Sequence, residues 1–340
     1  MIKSIHFQNF KALRDATLPL GPFTLIVGPN GSGKSTAMQA FSFVQRANIY
    51  DYDKIVTAGL PEPSDVEVQF TDDVTGRTTS AVLHHPDWQD EDPQPPEEDP
   101  GSLHDPEEDV NYLSPFETAL ASFKVYSLDA KRIAQPVGID SVPELREDGF
   151  GLANVLDDLS DQEPERWEAL NHELNRWLPE FDHVTFERAP NSTKSFQLRT
   201  AFGHHKYSAS DLSQGTLFAV ALLTLAYLRK PPAIVCFEEP DHGIHPRLLE
   251  SIRDAMYRLA YPKDFSGNRE PVQVIATTHS PYLLDLYKEH PEEVVIAHKD
   301  ELGAHFERLS EKPHITELLK GAPLGDIWFS GILGGVPSSP

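Results

Sequence analysis

The sequence predicts an α/β fold, and three stretches carry that prediction. FTLIV (residues 23–27) is an apolar run that passes through a glycine-rich loop into a helical pattern. AIVCF (233–237) is a second apolar run and ends in two adjacent carboxylates, while VQVIATT (272–278) is a third and is followed by a histidine. Short continuous apolar runs separated by helical segments are what a parallel sheet buried on both faces requires.

The elements follow in order. IKSIHF, ATLPL and FTLIV read as short strands, with Gly21-Pro22 turning the chain between the last two. A helix is expected from Lys34 to about Asn48. VEVQF (66–70) and TTSAVLHH (78–85) then form a hairpin around residues 73–76, which gives an N-terminal antiparallel β subdomain. Residues 86–110 combine proline with eleven acids and no Lys or Arg. With almost nothing to bury, that segment is expected to be a disordered surface insertion. FKVYSL (123–128) returns to strand character. GLANVLDDLS and PERWEALNHELNRWL carry apolar residues at helical spacing, with Leu170, Leu174, Trp177 and Leu178 on one face. Residues 115–200 are therefore expected to form a small helical lobe within a single domain of residues 1–340, with HVTFER and SFQLRTAF as two strand-like runs after the helices. A helix over about 214–228, the strand 233–237, a helix from Pro246 to about Ala260, the strand 272–278 and a short α/β segment complete the chain.

Bulk properties narrow the function. The 340 residues, 39% of them hydrophobic, can supply an ordinary buried core. The net charge of -24 argues against broad, sequence-independent binding to nucleic acid, which is driven by Lys and Arg releasing counterions. The balance stays acidic without the 86–110 segment, so contact with DNA would need a local basic patch or a partner. No run approaches the roughly 18 apolar residues of a membrane helix, and MIKSIHFQNF lacks the apolar core of a signal peptide. A cytoplasmic protein is expected. The single cysteine, Cys236, excludes an internal disulfide and a CxxC zinc site, and it reads as a small core residue.

GPNGSGKS (28–35) fits GxxxxGK[ST] and lies between an apolar strand and a helix, where its mechanism needs it. Backbone amides of Asn30, Gly31, Ser32 and Gly33 can turn inward around a phosphate, and the helix N-terminus adds the positive end of its dipole. Lys34 reaches the β- and γ-phosphates, Ser35 offers its hydroxyl to Mg²⁺, and Thr36 lies beside the phosphates. A P-loop binding ATP and Mg²⁺ is the expectation. Glu238 and Glu239, at the end of a buried strand, can divide the work. Glu238 holds the metal, directly or through water, and Glu239 polarises the attacking water as general base.

Two further elements specify the class. DLSQGT (211–216) opens a helix with Ser213 as N-cap, and Gly215 permits close backbone approach, so the helix N-terminus faces an anion. His279 directly follows the strand 272–278. With the P-loop and the acidic strand these make four motifs in order, and the chain resembles ABC-type ATPases of the AAA_21 or OLD-like (overcoming-lysogenization-defect) group, related to SMC and RecF heads. EEPxxxxHP and THSP mark that group.

The resemblance implies an ABC-ATPase head that sandwiches ATP in a homodimer or higher oligomer. Ser213, Gln214 and Gly215 then complete the partner copy's site in trans, and His279 is the switch histidine reading the γ-phosphate. His245 falls in the D-loop, and Lys11, within Asn9-Phe10-Lys11, approaches the base. Glu238 stands where the family usually has Asp, which changes the metal distance by one methylene. The glutamine loop matches incompletely, with Gln135 as a candidate. Taken alone, His242, His245, His279 and Glu239 would also suggest a histidine metal site, but the family positions account for them.

About sixty residues follow His279, few for the Toprim nuclease domain of full-length OLD-like proteins. A separate effector protein is therefore expected, with the ATPase as switch or scaffold in a bacterial antiphage defence or toxin-type system. Two alternatives stay open, a RecF/SMC-like ATPase of DNA repair or maintenance and a nucleotide-gated scaffold with little hydrolysis. The tail LGDIWFSGILGGVPSSP either packs on its own domain or docks a partner.

Overall fold

The computed structural model describes residues 1–46, 55–57, 65–72, 74, 76–83, 118, 122–139, 141–265, 269–300 and 303–334. The acidic segment 86–110 lies outside them. Three strands open the chain, β1 (Ile2–Phe10), β2 (Leu13–Pro19) and β3 (Phe23–Val27), followed by helix α1 (Lys34–Arg46) and the strands β4 (Val66–Asp72) and β5 (Thr78–Leu83). β6 (Lys124–Tyr126), the short α2 (Ala130–Ile133) and β7 (Val137–Gly138) lead to α3 (Leu152–Gln162), α4 (Pro164–Trp177), β8 (Phe181–Ala189), β9 (Thr193–Thr200) and β10 (Lys206–Ser208). Next come α5 (Gln214–Tyr227), β11 (Ile234–Glu238), α6 (Leu249–Ala260), β12 (Gln273–Thr278) and α7 (Pro281–Asp285). β13 (Val294–Asp300), β14 (Gly303–Arg308), α8 (Ile315–Gly321) and α9 (Leu324–Phe329) close the chain.

The central sheet runs β14-β13-β3-β12-β11-β6. All its pairings are parallel except that of the edge strand β14. Alternation within these apolar strands builds two cores. Ile26, Cys236, Ile275 and Val295 face α1 and the antiparallel sheet β2-β1-β4-β5, while Leu25, Val235, Phe237, Val274 and Ala276 face α5, α6 and the remaining helices. Cys236 is fully buried, as its surroundings in the sequence suggest, and burial pushes its thiol well above the ordinary range. Gln273 ties the two sheets together. Its side-chain oxygen accepts from the Ile2 amide at 2.8 Å, and its amide nitrogen donates to the carbonyls of Ile2 and Gly21 at 2.7 and 2.9 Å.

Within residues 115–200, α3 and α4 bury Leu170, Leu174, Trp177 and Leu178 as their spacing predicts. The segment is not purely helical, because β9 pairs with β7, β8 and β10 in an antiparallel sheet that continues to Ser208. Asn171 joins the two layers, donating to the Trp167 carbonyl at 3.0 Å and accepting from the Val184 amide at 2.8 Å. The helix expected from Pro246 starts as a 3-10 turn, Pro246–Leu248, before α6.

Candidate functional site

Strand order decides what meets at the sheet's C-terminal edge. β12 lies between β3 and β11, so the loop after β3, the acids after β11 and the histidine after β12 emerge side by side. The loop after β3 is closely seated. A Cβ on Gly28 would lie 2.2 Å from the Ala297 carbonyl oxygen, and Gly33 adopts φ +93°, a left-handed conformation that suits glycine. Lys34 is 5% exposed, and its ammonium donates to the Gly28 and Pro29 carbonyls at 2.8 and 2.9 Å. Burial lowers its pKa to about 8, partly opposed by the charge of Glu239. The nearby Ser32 hydroxyl is buried with no hydrogen-bond partner. A buried cation and an unsatisfied hydroxyl on a glycine-rich loop fit an anion.

A cavity of about 260 Å³ opens beside this loop, lined by Ser35, Tyr126, Phe237, Glu238, Glu239 and Thr277 among others. Ser35 and Glu238 thus present a hydroxyl and a carboxylate to one space. That donor pair suits Mg²⁺, which takes one or two protein oxygens and completes its shell with phosphate and water. Glu239 has φ +46°, unusual for a side chain of its size. Its amide is held by the Thr277 carbonyl at 3.1 Å and the Thr277 hydroxyl at 3.2 Å. His279 Nε2 lies 3.4 Å from Glu239 Oε1. Burial holds the His279 pKa below its ordinary value, and the Lys34 charge adds to this, opposed by Glu239 and a hydrogen bond to the Gly28 backbone. No group of three or more His, Cys, Asp or Glu among the described residues can hold a metal ion. His245 is exposed and turned to its own chain, where Nδ1 accepts from the Arg247 amide at 3.2 Å, so it does not join His242 and His279.

Other residues singled out from the sequence do not line this cavity. Ser213 and Gln214 are exposed at the start of α5, where Ser213 caps the helix through the Thr216 amide at 3.2 Å. Gly215 packs on the loop after β11, and a Cβ there would lie 2.8 Å from the Gly243 carbonyl oxygen. The Lys11 ammonium is bound by Gln39 on α1 at 2.6 Å. Gln135 is exposed and accepts from Arg132 at 2.6 Å. Asn30 and Gly31 are exposed on the loop, and Thr36 is half-buried on α1. Tyr126, Ser127 and Thr277 line the cavity but were not foreseen. A polar residue directly after a short apolar strand was the available signal for Ser127. In the tail, Ile327, Trp328 and Leu333 are buried, whereas Phe329 and Ile332 are exposed.

A family described as "AAA domain, putative AbiEii toxin, Type IV TA system" matches residues 23–285. An OLD nuclease of Thermus scotoductus is 52% identical over 44 residues, which are 13% of this chain and 8% of that protein. The stretch in common therefore spans less than a tenth of that relative. The Smc head domain with a coiled coil and joint derived from Pyrococcus yayanosii aligns with a TM-score of 0.50 at 10% identity, covering 94% of this chain and 99% of that one. The SMC head domain from Thermotoga maritima aligns with a TM-score of 0.42 at 16% identity, covering 90% and 98%. The likeness to the Pyrococcus head is one of fold.

Proposed function

Because the chain belongs to the AAA_21 family, whose P-loop NTPase fold it shares with SMC heads, we propose that it binds ATP with Mg²⁺ on residues 28–36 and hydrolyses the ATP. One observation carries this reading. Lys34, Glu238, Glu239 and His279 converge at one sheet edge, and the buried Lys34 ammonium is satisfied by loop carbonyls that a phosphate can replace. In this reading Lys34 moves from the Gly28 and Pro29 carbonyls to phosphate oxygens, while the amides of Asn30 to Gly33 hold the chain of phosphates. Ser35 and Glu238 hold the metal, and bound Mg²⁺ supplies positive charge against the charge developing on the transferred phosphoryl group. Glu239 orients the attacking water and takes its proton. His279, already against Glu239, reads the terminal phosphate.

Ser213, Gln214 and Gly215 lie outside their own chain's cavity, which supports their serving the nucleotide of a second copy. ATP then closes a homodimer, with His245 at its interface. We place this switch in a bacterial defence or toxin-type system with a separate effector protein. The AbiEii toxin in the family's description and the short match to an OLD nuclease support that placement.

The test is phosphate release by Glu239→Gln. Turnover should fall by about 10²- to 10³-fold, the scale of a lost general base, with the ATP Kd within about threefold of the parent. Unchanged turnover removes Glu239 as the base. A parent chain that binds ATP without releasing phosphate supports a nucleotide-gated scaffold instead.

A further inference from the structure

Thr278, the last residue of β12, is fully buried. Its hydroxyl donates to Asp241 Oδ1 at 2.9 Å and accepts from the Ser280 amide at 2.9 Å. These partners meet around His279. Ser280 is the next residue in the chain, so the hydroxyl bridges the backbone across the histidine. Asp241 lies two residues beyond Glu239, so the same hydroxyl ties the histidine's backbone to the loop that carries the acids. Ser280 in turn caps α7, accepting from the Leu283 amide at 3.3 Å. Both sides of His279 are thereby fixed through side-chain oxygens.

The acid loop needs such a hold. Glu239 at φ +46° is in a left-handed conformation disfavoured for a side chain of its size, and it persists only where its surroundings enforce it. The Thr277 bonds fix its amide, and the Asp241–Thr278 bond fixes the loop two residues on. Beyond Asp241 the chain turns tightly, with the Ile244 amide donating to the Asp241 carbonyl at 3.1 Å. That turn packs on Gln214 and Gly215 of α5. Burial raises the Asp241 carboxyl above the usual carboxylate range, and the Thr278 hydrogen bond opposes the rise. A partly buried carboxyl bonded to a fully buried hydroxyl, neither of them lining the nucleotide cavity, suits positioning rather than chemistry.

We propose that Asp241 and Thr278 form a hydroxyl–carboxylate clasp that positions His279 against Glu239, so that turnover depends on two side chains that do not line the cavity. This deepens the ATPase reading and rests on it for its effect on turnover.

The experiment compares Thr278→Val, which keeps the shape and removes the hydroxyl, with Thr278→Ser, which keeps the hydroxyl. Asp241→Asn, which keeps an acceptor, is paired with Asp241→Leu in the same way. Each full-length variant is assayed for kcat, ATP Kd and the His279 ring resonances, which are assigned by their loss in His279→Asn. In Thr278→Val, kcat should fall by about 10- to 100-fold, the scale of a misplacement of about 1 Å, with the ATP Kd within about twofold. Thr278→Ser should recover most of that loss. The Thr278→Val and Asp241→Leu double variant should be scarcely worse than Thr278→Val alone, since removing the hydroxyl already breaks the contact that Asp241→Leu removes. The His279 resonances should move in Thr278→Val and Asp241→Leu and stay near the parent's in Thr278→Ser and Asp241→Asn. Parent-like kcat in Thr278→Val, equal damage in Thr278→Ser, or unmoved His279 resonances overturns the clasp. A parent without turnover defeats the ATPase reading, and the resonances then decide the clasp alone. If Thr278→Val does not fold, the Asp241 pair decides by the same criteria.

Discussion

Nucleotide binding should be coupled to the protonation of Lys34. In the free protein its pKa is lowered to about 8, chiefly by burial. A triphosphate brought against the ammonium favours the charged form and returns the pKa toward or above its ordinary value. Binding above pH 8 must therefore take up a proton, and affinity must fall as pH rises through that value. With a free pKa of about 8, Lys34 is roughly 90% charged at pH 7 and roughly 10% at pH 9, which predicts about a tenfold weaker ATP Kd, or about 1.4 kcal/mol. At pH 8.5 binding should take up about three-quarters of a proton. Titration calorimetry in two buffers of different ionisation enthalpy measures that uptake, and pH 8.5 keeps the γ-phosphate fully ionised throughout. Lys34→Arg is the control, because guanidinium does not lose its proton in this range. Its affinity should be lower but flat with pH. A parent Kd that changes by less than about twofold between pH 7 and 9, or an equal slope in Lys34→Arg, refutes the linkage.

Three other outcomes follow from particular contacts. In a Glu239→Gln background, Ser213→Arg should leave ATP binding within about threefold yet abolish ATP-dependent dimerisation in light scattering; closure that survives it contradicts the signature reading. Gln273→Leu removes the partner of the Ile2 amide and of the carbonyls of Ile2 and Gly21, so denaturant unfolding should show a loss of about 3–9 kcal/mol at about 1–3 kcal/mol for each of the three groups, and a loss below about 0.5 kcal/mol would show that water replaces these bonds. Gly28→Ala drives a Cβ onto the Ala297 carbonyl, so the strand or the loop must shift. A destabilisation of about 1–3 kcal/mol is expected, with ATP binding weakened at least about tenfold, and parent-like thermal unfolding with parent-like affinity would show that the backbone there yields freely.

Much of the fold was legible because its signals are local. The runs 23–27, 233–237 and 272–278 are continuous and apolar, and they became β3, β11 and β12. Leu170, Leu174 and Trp177 repeat at helical spacing and lie buried on α4. β7 and β10 span two and three residues, too short to leave a periodic trace, and β10 exists because β9 offers it an edge. The P-loop could be read because glycine spacing and chemistry coincide in one stretch. Tyr126, Thr277 and Asp241 could not, because their place at the site comes from which strands become neighbours. Lys11 shows the converse. Its motif is local, but a backbone at φ +52° and a bond from its amide to the Ile55 carbonyl at 2.7 Å aim the side chain at Gln39.

The seating of β12 between β3 and β11 also sets a timetable for synthesis. Phe23 pairs with Val274, so the phosphate loop's own strand waits about 250 residues for its neighbour. At a ribosomal rate of about 5–20 residues per second, that wait lasts about 12–50 s. During that interval β3 is an apolar strand with an open edge, and α1 has no completed sheet beneath it. On the proposed function nucleotide capture therefore waits for β12, and ATP binding by a nascent chain would report that β3 has gained its neighbour.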